Sequence, residues 1–76
     1  MNMLCARENA KLIIKDINVS DKRVRYRLYV LGFKKNAKVE IIRSLKNKIA
    51  VICKVGEKGL IISREILLDT EVEYCE

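Results

Sequence analysis

Three groups of residues in this chain could do chemistry: the cysteines Cys5, Cys53 and Cys75, a run of cations with two tyrosines set among them, and glutamates that alternate near the C-terminus. A cysteine nucleophile needs a neighbouring base or an electropositive setting that lowers its thiol pKa. The chain has no histidine, so the usual general base near neutral pH is missing. Cys53 stands between Val51 and Val55 at strand spacing, where a thiol packs as a small hydrophobe. Cys5 and Cys75 lie near opposite ends of the chain, which a small barrel could bring together as a thiolate pair. A stable zinc site wants four ligands, and spacing such as Cys-x-x-Cys is absent. Glu71, Glu73 and Glu76 would add oxygens, but alternation of this kind is ordinarily the solvent face of a strand. Gly56-Glu57-Lys58-Gly59 lacks the final lysine and hydroxyl of a phosphate loop, and it joins two expected strands. These residues point away from catalysis; no enzyme activity, metal site or cofactor is expected.

The cations carry more. Lys22, Arg23, Arg25, Arg27, Lys34, Lys35 and Lys38 occur with no acidic residue among them, and Tyr26 and Tyr29 are interleaved. Arginine with tyrosine is enriched at protein hot spots and at surfaces on which nucleic-acid bases stack. The plain alternative is a solvated helix face and turn. The net charge of +6 fits either a self-repelling soluble surface or an anionic partner.

A helix must position these groups. Val24, Leu28 and Leu31 sit at i, i+4 and i+7 and share one face, which predicts a short helix over about Asp21 to Leu31. Ser20 is the expected N-cap, with Asp21 favoured at the positive end of the dipole. Gly32 is the expected stop, and Phe33 folds back on Leu28 if that stop is a Schellman motif. Asn36 adds a second turn-tolerant residue. Strands are expected at Ala10–Ile17, bending near its end, and at Ala37–Ser44, Ile49–Val55, Leu60–Ser63 and Thr70–Tyr74, with a 3₁₀ turn at Arg64–Leu68. Leu4 gives only a weak signal in a mixed N-terminal stretch. The fold class is mainly β, in one domain over residues 1–76. Five short strands bury themselves best by curling into a small barrel. No apolar run reaches membrane-span length and the N-terminus has no signal-peptide pattern, so a cytoplasmic location with reduced thiols is expected.

This order of elements resembles the FeoA family, the small cytosolic component of bacterial ferrous iron uptake. The motif is carried by Arg27-Leu28, Tyr29-Val30, Leu31-Gly32, Phe33, the basic turn Lys34 to Lys38 and the strand Val39 to Ile42, and the later pattern runs from Gly56 through Tyr74. The chain departs from the family at Asn36, where members usually carry glycine, and at Leu45 to Lys48, where many carry a longer proline-bounded loop. Both departures suggest a shorter, stiffer hairpin. The resemblance implies a five-stranded SH3-like barrel with one short α-helix between strands 1 and 2 and a helical turn before the last strand. It also implies a non-enzymatic accessory that docks on the cytosolic GTPase part of a FeoB-like membrane transporter. The expected contacts are Arg23, Arg25, Tyr26, Arg27, Tyr29, Lys34 and Lys35, held in place by Leu28, Leu31, Gly32 and Phe33. The chain is not expected to be embedded in the membrane; a second copy is a weaker candidate partner. Nucleic acid is not expected, although a small basic nucleic-acid-binding barrel is the alternative that the charge and tyrosines permit. A third option is the homologous domain found at the end of some metal-dependent repressors.

Overall fold

Leu12 and Ile14, Val39 and Ile41, then Val51, Cys53 and Val55 are buried at every second position, and each set alternates with more exposed neighbours. That period of two turns one side of each strand inward. The computed structural model describes residues 1–75. Its elements are a 3₁₀ turn (Met3–Cys5), β1 (Lys11–Ile17), α1 (Lys22–Val30), β2 (Lys38–Leu45), β3 (Ala50–Val55), β4 (Lys58–Ser63), α2 (Arg64–Leu68) and β5 (Thr70–Tyr74). The strands form one antiparallel sheet in the order β4-β3-β2-β1-β5. Breaks in register between Ile14 and Asp16 in β1 and between Ile41 and Arg43 in β2 bend it around one core. The 3₁₀ turn and α2 pack on one another; α2 also touches β3, β4 and β5, so the pair covers the seam between the outer strands. The result is a small, mainly β, SH3-like barrel with its helix between β1 and β2.

The end of α1 follows from its residues. The Gly32 N–H donates to the Tyr29 carbonyl at 3.0 Å, and the Phe33 N–H donates to the Leu28 carbonyl at 2.8 Å. Gly32 has φ +91°, and these two bonds are the Schellman pair. Phe33 and Leu28, joined by that bond, are both buried in the core. Asn36 takes φ +72°; its N–H reaches the Ile14 carbonyl, while the Ala37 carbonyl accepts from the Ile14 N–H. The turn after the helix is thereby tied to β1.

Several expectations are corrected. The N-cap is Asp21, not Ser20: its Oδ1 accepts from Arg23 N at 2.9 Å and Val24 N at 3.4 Å. Leu31 lies outside the core and is partly exposed, because it is the C-cap residue and the reversal at Gly32 gives the core position to Phe33. Ile49 is exposed because it belongs to the hairpin turn. The segment at Arg64–Leu68 is an α-helix, and β4 begins at Lys58, so the hairpin loop before it is only Gly56-Glu57. The N-terminal stretch, weakly patterned in sequence, buries Met3 completely. Lys48 secures it by donating from Nζ to the carbonyls of Leu4 at 2.6 Å and Ala6 at 3.4 Å. Lys46, Asn47 and Lys48 all have positive φ, a left-handed turn that costs on the order of 1–2 kcal/mol per residue in the absence of compensation. The bonds from Lys48 Nζ to the Leu4 and Ala6 carbonyls, and from the Ile49 N–H to the Leu45 carbonyl, offset part of that cost.

Candidate docking surface

Helix α1 buries only Leu28 and half-buries Val24, and everything else on it faces outward. Asp21 is committed to its cap bonds, and from Lys22 to Val30 the helix carries no carboxylate. Tyr26 is 68% exposed and Tyr29 59%. Among the described residues, Lys22, Arg23, Arg25, Arg27, Lys34 and Lys35 make no ion pair. The Lys34 ammonium lies 4.9 Å above the Tyr29 ring, a cation–π contact worth about 0.5–1 kcal/mol at an exposed site.

The seven expected contacts divide into two flanks. Arg25, Tyr29, Lys34 and Lys35 line a groove of about 360 Å³ together with Ile17, Lys22, Tyr26 and Phe33. Arg23 and Arg27 lie on the other side of Tyr26, where Arg27 and Tyr26 share a shallow apolar hollow with Val30 and Leu31. Lys38, grouped with the cluster by sequence, lines a different cleft on the barrel wall with Lys11, Val39, Glu40, Lys54, Gly56 and Cys75. That cleft is larger, about 460 Å³, but it includes a carboxylate and no aromatic ring. Sequence reasoning missed Ile17 as part of the groove, because its place beside α1 depends on how β1 meets the helix. The alignment of Lys22, Arg25 and Tyr29 was available from their i, i+3, i+7 spacing. Of the four supporting residues, Leu28 and Phe33 are buried, Gly32 makes the reversal, and Leu31 borders the second flank.

The other chemical candidates do not assemble. Burial pushes the Cys53 thiol up to about 11, so it stays protonated at neutral pH. Cys5 and Cys75 are exposed thiols without a disulfide. Among the described residues no three histidine, cysteine, aspartate or glutamate side chains are grouped to hold a metal ion, and Glu76 lies outside those residues. Lys15 approaches Glu73 at 3.8 Å, and both are exposed on the outside of the barrel. Among the described residues no helix is long and apolar enough to cross a membrane.

In class, then, this is a small SH3-like β-barrel domain that displays its one long helix on its side. Residues 1–73 match the FeoA domain, and the chain belongs to the FeoA family. The chain is similar in fold to the FeoA protein from Chlorobium tepidum, with a TM-score of 0.92 at 17% identity, covering 100% of this chain and 71% of that one. Iron(II) transport protein A from Clostridium thermocellum superposes with a TM-score of 0.86 at 22% identity, over 97% of this chain but only 45% of that protein. The FeoA-like protein from Clostridium acetobutylicum gives 0.81 at 14% identity, over 97% and 85% of the two chains. No curated protein matches the chain in sequence.

Proposed function

We propose that this protein is a non-enzymatic, cytoplasmic accessory of ferrous iron uptake that docks on the cytosolic GTPase part of a FeoB-like transporter. Membership in the FeoA family and the likeness to iron(II) transport protein A of Clostridium thermocellum support the process. The observation that carries docking is the uncompensated cationic face of α1 and its turn, with two exposed tyrosines at its centre. A tyrosine offers large rigid contact area at low entropic cost, and arginine forms bidentate pairs with carboxylates, so the two together suit a protein partner. Docking would regulate the transporter only by favouring one of its states, which requires unequal affinity for them.

The test is capture of the transporter's cytosolic part on immobilised protein. Wild type should retain it, and the Arg25→Glu, Lys35→Glu double variant should lose it while melting normally. Capture that survives this double charge reversal would remove α1 as the contact face. Tight, steeply salt-dependent binding of oligonucleotides together with failed capture would favour the nucleic-acid alternative.

A further inference from the structure

We infer that the groove beside α1 takes a short acidic segment of the partner that carries one apolar anchor side chain. This deepens the docking reading above and rests on it. Ile17, half-buried at the end of β1, and the exposed rings of Tyr26 and Tyr29 supply the apolar surface there; Phe33 packs beneath them, fully buried, and exposes none of its own. Tyr29 forms one wall, with the Lys34 ammonium 4.9 Å from its ring centre. Four cations, Lys22, Arg25, Lys34 and Lys35, complete the lining, and no carboxylate does.

At about 360 Å³ the groove is near the small end of binding clefts, with room for a side chain or two and not for a folded element. The charges select carboxylates around that anchor. The apolar lining selects against a bare polyanion, which would use the cations and gain nothing beneath them. Lys34 also covers a face of Tyr29 on which a nucleic-acid base would otherwise stack. An acidic segment with a leucine or phenylalanine at its centre uses both halves of the groove.

The experiment is fluorescence anisotropy on the whole chain with short labelled peptides: an aspartate- and glutamate-rich peptide with a central leucine, the same peptide with serine at that position, and a lysine-for-acid version. A single-stranded oligonucleotide serves as polyanion. The leucine peptide should bind; serine in its place should weaken it about tenfold, since a buried leucine is worth more than that factor. The lysine version should not bind. Arg25→Glu with Lys35→Glu should abolish binding, while Lys54→Glu with Lys58→Glu, the same charge change on β3 and β4, should leave it within about twofold. Equal affinity of the leucine and serine peptides would overturn the proposal, as would an oligonucleotide that binds more tightly than the leucine peptide. If the transporter's cytosolic part is captured while neither acidic peptide binds, the groove proposal falls and docking stands; if capture fails while the leucine peptide binds as expected, the groove stands and that transporter is the wrong partner.

Discussion

Gly32→Ala tests the physics that ends helix α1 and turns the chain toward β2. Gly32 has φ +91°, where an L side chain presses on its own backbone. That strain costs on the order of 1–2 kcal/mol. A Cβ built there would lie 3.4 Å from Val55 Cγ1, an ordinary contact, so neighbouring atoms add no large steric penalty. Alanine also restricts the unfolded chain, which returns about 0.4–1 kcal/mol. The net loss should therefore be about 1 kcal/mol, a fall in Tm of about 4–8 °C for a domain of this size. Gly59 is the control. It lies within β4, its φ is not positive and a Cβ there meets nothing within 4 Å, so Gly59→Ala should be neutral or slightly stabilising. Urea unfolding should show a lower midpoint for Gly32→Ala at an unchanged m-value. Equal midpoints for the two variants would refute the left-handed stop as the source of the cost.

Met3→Ala should destabilise by about 2–5 kcal/mol in the same assay, because Met3 is fully buried although its neighbourhood looks nondescript in sequence. Lys48→Met removes the ammonium from the Leu4 and Ala6 carbonyls and should cost about 1.5–3 kcal/mol, with faster amide exchange in the first six residues as the local readout. Thiol-reactive dye should label Cys5 and Cys75 readily in the folded protein and Cys53 only on unfolding. Burial raises Cys53 from 9.0 to about 11, so above pH 9 the unfolded chain loses this proton while the folded chain keeps it. The contribution is complete below pH 9 and declines as pH rises through 11, by about 2–3 kcal/mol relative to a Cys53→Val variant.

Much of the barrel was legible because strand burial is a local pattern. Alternation around Val39, Ile41, Val51, Cys53 and Val72 placed the strands to within a few residues. The helix stop was legible too, since glycine followed by an apolar residue is a local solution to unsatisfied carbonyls, and Gly32 with Phe33 adopts it. Ser20 was a reasonable cap by type, but capping depends on one residue of register, and Asp21 occupies the position whose oxygen reaches Arg23 N and Val24 N. The cations and tyrosines were visible as a cluster. Their division into a groove and a second flank was not, because it depends on the angle at which α1 leaves β1.

By itself, the amino-acid order determined the periodic faces, the left-handed stop at Gly32 and the absence of histidine, all of which are properties of residue type and near-neighbour spacing. Tertiary structure decided which apolar residues became core: Met3 entered it by filling the seam beside α2, and Leu31 left it when the chain reversed toward Phe33. It also decided that Ile17, Phe33 and four cations share one groove. These outcomes rest on contacts between segments distant in sequence, and no local period encodes such contacts.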